Sequence, residues 1–128
     1  MTILIVDDQP NLIKVTAAAL RLVDCRPLGA SSVSEATQLL ASEKIDAVLL
    51  DLNLNGESGF EFLSQIMSGP TPLPVIIFTA QSRDEVAAEA KSRGAFDCMV
   101  KPFSLEDLRN QIARIADHLN QASPHPKE

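Results

Sequence analysis

The sequence predicts a doubly wound α/β domain, a parallel five-stranded sheet with helices on both faces. Apolar segments alternate with amphipathic ones five times along the chain, the pattern of strand–helix units joined by right-handed crossovers. Three of the apolar segments, Ile3 to Val6, Ala47 to Leu50 and Val75 to Phe78, are unbroken apolar runs. Such runs suit strands covered on both faces rather than half-exposed ones. Four of the five amphipathic segments open on a repeated start signal, a serine followed three residues later by an acid.

In chain order, the first strand (Ile3 to Val6) leads through Asp7-Asp8-Gln9 to Pro10. Pro10 suits the first turn of a helix, where a missing N–H is tolerated. The second strand, Arg26 to Ala30, is weakly apolar and suits a sheet edge. Ser32 and Glu35 then mark a helix, and after the third strand Ser58 and Glu61 mark another. Following the fourth strand, Ser82 and Glu85 open a helix that Gly94 closes in the left-handed conformation. The fifth strand, Cys98 to Val100, is short and suits the other edge. Ser104 and Asp107 begin the last helix, whose Leu105, Leu108, Ile112, Ile115 and Leu119 form one stripe expected to face the sheet. Beyond Asn120 the residues are polar and proline-broken, so we expect a domain over 1–120 and a flexible tail or linker start over 121–128.

The 128 residues suit one domain, and 45% hydrophobic with 22% charged residues gives neither a membrane protein nor a disordered one. No apolar run approaches the roughly 18–20 residues that span a bilayer, and no basic region precedes Ile3. We therefore expect a cytoplasmic chain with no membrane association. A net charge of −6 repels phosphate backbones, and Trp and Tyr are absent, so direct nucleic-acid binding by this segment is not expected. Cys25 and Cys98 form no CxxC pair, and they fall near opposite sheet edges, roughly 19 Å apart by strand spacing. Both read as reduced, with no zinc site and no bridge between them. His118 reads as a helix-terminal residue, and His125 lies in the tail.

Strand ends carry the chemistry in this fold. The first strand ends in Asp7-Asp8, the third in Asp51, the fourth in Thr79 and the fifth in Lys101-Pro102. Crowded carboxylates repel unless neutralised, and a hard divalent cation such as Mg²⁺ does this with oxygen ligands. A carboxylate is also a phosphoryl acceptor and needs no general base. The remaining demand is to shield the phosphoryl charge, for which a metal, an ammonium and a hydroxyl are suited.

The set Asp7-Asp8, Asp51, Thr79-Ala80 and Lys101-Pro102-Phe103, with Gly56 five residues after Asp51, resembles the signature of the receiver domains of bacterial two-component response regulators. The resemblance covers about Ile3 to Leu119. It implies a flavodoxin-like (βα)5 sheet in the order 2-1-3-4-5, and a phosphorylation switch rather than an enzyme acting on other substrates. Asp51 would take a phosphoryl group from a histidine kinase or phosphotransfer protein. Asp7, Asp8, Asp51 and the Asn53 carbonyl would hold Mg²⁺. Lys101, Thr79 and the Ala80 N–H would bind the phosphoryl group, and the Lys101–Pro102 peptide would be cis. Signal would leave through the fourth helix, fifth strand and fifth helix to an output domain or partner, or into a homodimer, with Ala90, Phe96 and residues around Leu108 among the contacts. Asn53 and Gln81 would tune the acyl phosphate's lifetime.

One departure is Cys98, where many family members carry an aromatic residue that turns inward on activation. The surrounding Gly94–Phe103 segment is otherwise similar to receivers that precede sigma-54-activating ATPase domains. Two alternatives stay open: a degenerate receiver acting without phosphorylation, and an FMN-binding electron carrier, whose phosphate loop the acids after the first strand would repel. Taken singly, the motifs also have ordinary meanings. Asp7-Asp8 can be a helix-start turn, Asp51-Leu52-Asn53 a loop cap, Thr79 a strand-end hydroxyl and Lys101-Pro102 a plain turn.

Overall fold

A computed structural model describes residues 1–54, 56–69, 72–80 and 84–122. Its main sheet comprises β1 (Thr2–Val6), β2 (Arg26–Ala30), β3 (Ala47–Asp51), β4 (Val75–Thr79) and β5 (Asp97–Val100). All neighbours pair in parallel, in the order β2-β1-β3-β4-β5. The helices are α1 (Pro10–Leu22), α2 (Val33–Ser42), α3 (Gly59–Met67), α4 (Asp84–Ser92) and α5 (Leu105–Ala122). Each strand lies within one residue of its expected bounds. A short antiparallel hairpin, Asn53–Leu54 with Glu57–Ser58, was not expected.

Alternation along the strands divides the core into two layers. Leu4, Val6, Val48, Leu50, Val75 and Ile77 pack against Ala36 of α2, Phe62, Leu63 and Ile66 of α3, and Ala90 of α4. Ile3, Ile5, Ala47, Leu49, Ile76, Phe78 and Met99 pack against Leu20 of α1 and Leu108 and Ile115 of α5. β1, β3 and β4 are buried nearly throughout, whereas β2 and β5 are partly exposed. Unbroken apolar runs thus became central strands, and weaker ones became edges.

The helix signals hold with differences in detail. Pro10 opens α1. Ser32 Oγ accepts from the Glu35 N–H at 3.1 Å, while the Glu35 carboxylate reaches Ser31, one residue earlier than a capping box requires. Ser58 accepts from Phe60 rather than from the Glu61 N–H. Ser104 and Asp107 form the reciprocal pair. Ser82 lies outside the described residues, as do Gln81 and His125. Gly94 closes α4 with φ +101°, as expected; its N–H reaches Lys91 and that of Ala95 reaches Ala90, satisfying the last carbonyls.

Three expectations are corrected. Leu105 is exposed rather than part of the buried stripe, because it starts α5 beyond the end of the sheet. His118 stacks edge-on against Phe96 at 5.3 Å, and α5 continues to Ala122, so it is not a helix terminus. Ala90 is fully buried in the core and is unavailable as a contact residue, whereas around the buried Leu108 the neighbours Asp107 and Arg109 are exposed. Cys25 and Cys98 are both free. No helix among the described residues is long and apolar enough to cross a membrane.

Candidate functional site

β1 pairs with β2 on one side and β3 on the other, so strand order reverses between β1 and β3. A crevice therefore opens past their carboxyl ends. Asp7 follows β1 directly, and its N–H continues the ladder to the Ala30 carbonyl. Asp51 is the last residue of β3 and Thr79 the last of β4. Lys101 follows β5, its N–H donating to the Thr79 carbonyl at 2.7 Å, and the Lys101–Pro102 bond is cis.

The sheet thereby brings together what the sequence separates by up to 94 positions. The Lys101 ammonium lies 3.2 Å from Asp7 Oδ2 and 3.3 Å from Asp51 Oδ2. Asp7, Asp8 and Asp51 each place a carboxylate oxygen within 4.8 Å of the others. Asp7 is fully buried and Asp51 nearly so, while Asp8 is half-buried. Three carboxylates against one ammonium carry a formal charge of −2. That surplus, built wholly from oxygen donors, fits one hard divalent cation.

The Gln9 N–H donates to Asp7 Oδ1 at 3.0 Å and the Asn53 N–H to Asp51 Oδ1 at 3.3 Å, fixing both carboxylates from the following loops. Burial pushes the Asp51 carboxyl above its ordinary value. The Asn53 N–H and Lys101 oppose this, and Asp7 adds to it. Thr79 is buried at the end of β4, and Ala80 is exposed on an apolar groove shared with Lys101 and Pro102. Asp7, Asp8, Asp51, Asn53, Thr79, Ala80 and Lys101 thus lie at the same sheet end, while Gln81 lies outside the described residues.

Two neighbours escaped the sequence reading. A Cβ on Gly59 would sit 2.8 Å from Leu52 Cα and clash with the Asp51 carbonyl, so only glycine lets α3 start against the Asp51 loop. A glycine just after the Ser58 cap was the available signal. Phe78 faces the Lys101 ammonium with its ring centroid at 4.5 Å; in sequence it reads only as an apolar strand residue.

A sheet of this order with three acids and a lysine at its switch point defines a receiver-type α/β domain. Residues 3–113 match the response regulator receiver domain family, and the chain belongs to it. Over 112 residues it is 36% identical to Regulatory protein AtoC of Escherichia coli (strain K12), covering 88% of this chain and 24% of that protein. It is 31% identical over 129 residues to the phosphate regulon transcriptional regulatory protein PhoB of Pseudomonas aeruginosa, covering 99% of this chain and 55% of that protein. The chain thus spans between a quarter and about half of these relatives' lengths. Among solved structures, the response regulator receiver domain protein from Clostridium thermocellum superposes with a TM-score of 0.88 at 26% identity, covering 95% of this chain and 98% of that one. The BeF3-activated N-terminal receiver domain of Klebsiella pneumoniae RstA superposes with a TM-score of 0.81 at 27% identity, covering 93% and 98%. Membership of this family sets aside the electron-carrier reading.

Proposed function

We propose that the chain is a cytoplasmic phosphorylation switch with Asp51 as phosphoryl acceptor. The observation that carries this is the Lys101 ammonium shared between Asp7 and Asp51, with Asp8 beside them. In the transfer, an Asp51 oxygen attacks phosphorus, and the bond from phosphorus to the donor's imidazole nitrogen breaks, leaving its electron pair on the ring. The donor is a phosphohistidine of a kinase or phosphotransfer protein. Asp7, Asp8, Asp51 and the Asn53 carbonyl would hold Mg²⁺. Bound there, the ion would neutralise charge shared between the acids and the phosphoryl oxygens. Lys101 pairs with a phosphoryl oxygen as Asp51 gives up its own negative charge. Thr79 and the Ala80 N–H donate to the remaining oxygens.

The phosphoryl group, carrying about −1.5 to −2, replaces the single charge of the Asp51 carboxylate, and the change must bias an element with two arrangements. We assign this to the α4-β5-α5 face, which serves an output domain, a separate partner or a homodimer. Lys101 joins β5 to the site, and Lys91 of α4 and Gln111 and Arg114 of α5 all meet Asp97 at the start of β5. Asn53 and Gln81 set how fast water removes the phosphoryl group; bulky apolar replacements at both should lengthen its lifetime.

Acetyl phosphate with Mg²⁺ tests the reading. Intact-mass spectrometry should show one added phosphoryl group on wild type and none on Asp51→Asn or without Mg²⁺. Beryllofluoride, the activating agent for the RstA receiver, should bind with the same Asp51 requirement. An unmodified wild type would instead make the chain a degenerate receiver that works through contacts alone, the alternative that the intact acids and Lys101 argue against and that Cys98 keeps open.

A further inference from the structure

We infer that Phe78 is a positioning residue for Lys101, its ring forming the floor on which the ammonium rests during phosphoryl transfer. The inference rests on the phosphorylation reading above. Phe78 is the penultimate residue of β4 and lies opposite Asp51 in the register with β3. Its side chain falls on the α1/α5 side of the sheet, in the layer with Ile5, Leu49 and Met99. From there the ring meets the Lys101 ammonium at 4.5 Å from its centroid, well inside the range over which an aromatic face attracts a cation. The ring is in turn set by Phe103, which meets it edge-on with centroids 6.2 Å apart and interplanar angle 65°. Residues from β4 and from the segment after β5 thus build the support together.

Chemistry gives this contact a use that core packing alone would not. Among the described residues Lys101 meets the Asp7 and Asp51 carboxylates and the Phe78 ring. In the proposed reaction Asp51 becomes an acyl phosphate, and Asp7 would be engaged by the cation. The ring is the partner that neither step alters. It can therefore hold the ammonium near the reacting oxygens while the carboxylates change roles. An aliphatic side chain of similar volume would fill the core and leave Lys101 free to swing along the apolar groove that both residues line.

The test compares Phe78→Leu, which removes the ring, with Phe78→Tyr, which keeps it. Rates of phosphorylation by acetyl phosphate are measured well below each variant's unfolding midpoint. Phe78→Met replaces Phe78→Leu should the latter not fold. We expect the ring-less variant to be slower by about three- to tenfold and the tyrosine variant to stay near wild type. In a Lys101→Met background the ring should no longer matter. Equal slowing by Phe78→Leu with and without Lys101, or equal slowing by Leu and Tyr, would reduce Phe78 to a packing residue and overturn the inference. A readout independent of phosphorylation accompanies these rates: the NMR signals of the Lys101 ε-methylene should be displaced upfield by the ring in wild type and Phe78→Tyr and return toward ordinary values in Phe78→Leu. Ordinary lysine shifts in wild type would also overturn it. If wild type takes up no phosphoryl group, the functional reading fails and the catalytic role fails with it. The Lys101 shifts would still decide whether the ring holds the ammonium.

Discussion

Two aspartates at opposite ends of the sheet, each beside cations, are driven in opposite directions. Asp51 shares Lys101 with Asp7, and its burial wins, so its carboxyl sits above the ordinary range. Burial also pushes Asp97 up. Donors from Gln111, the Cys98 N–H, Arg114 and Lys91 together overcome this and bring Asp97 down to about 2. The difference lies in the ratio of donors to acids. At Asp97 one carboxylate is surrounded by donors from two helices and its own strand, which makes a clasp between α4, β5 and α5. At Asp51 three carboxylates compete for one ammonium, which leaves a demand for positive charge. A satisfied carboxylate holds a fold together; an undersatisfied one is available for chemistry.

The largest expected contrast is chemical. Asp51→Asn should abolish the phosphoryl adduct, whereas Asp97→Asn should leave it forming at a rate within a few-fold of wild type. Both are read by intact-mass spectrometry with acetyl phosphate and Mg²⁺. Loss of the adduct in Asp97→Asn would show that the two sites are not separable in the way their partners suggest.

The next effect concerns what keeps Asp51 in place. Gly59→Ala should destabilise the chain by about 2–3 kcal/mol, since the new methyl has backbone rather than a pliable side chain in its way. It should also slow phosphorylation by displacing the Asp51–Leu52 backbone. Gly56 has φ +91° but open space around its Cα, so Gly56→Ala should cost only about 1–2 kcal/mol of backbone strain. Urea denaturation of the two variants ranks them, and a reversed order would remove the argument from close approach.

The contrast between these glycines shows what the sequence could and could not reveal. The strands and the site acids were legible because burial on both faces leaves unbroken apolar runs, and because parallel strands deliver whatever follows them to one edge. Gly56 was legible only through the family resemblance, whose motif has a glycine five residues after the Asp51 position. Gly59 was not, because its constraint is the approach of α3 to the Asp51 loop, a contact across the chain. Phe78 was hidden for a similar reason: its role depends on a lysine from another strand. The Asp97 clasp was also invisible, since its partners lie on α4 and α5 and carry no local pattern. Helix caps were legible as positions but not as bonds, as Glu35 reaching Ser31 illustrates.

A smaller effect separates the clasp from the site by pH. Asp97 is depressed in the folded chain, from 3.8 to about 2. The unfolded chain therefore binds the extra proton between those values, so the stability Asp97 contributes is fully present above about pH 4 and is lost as pH falls toward 2. Solvent screening of exposed Lys91 and Arg114 keeps this to about 1–2 kcal/mol. Asp97→Asn should cost that amount at pH 7 and flatten the acid limb of stability against pH. An unchanged acid limb would mean that the clasp contributes nothing.

The smallest effect tests whether exposure or distance decides an ion pair's worth. Glu89 of α4 and Arg93, just past its end, approach to 2.8 Å, closer than the 3.5 Å between Lys91 and Asp97. On distance alone Glu89→Gln would be the costlier change. Yet both side chains of that pair are more than two-fifths exposed, whereas Asp97 is 17% exposed and bonded to further donors. Water competes for exposed charges, so Glu89→Gln should cost no more than about 0.5 kcal/mol. The Arg93 guanidinium, 4.9 Å over the Phe60 ring, would retain that contact after the substitution. Urea denaturation at low and high salt measures the change. A loss above that of Asp97→Asn would show that proximity outweighs desolvation, and the contrast drawn between Asp51 and Asp97 would then need another cause.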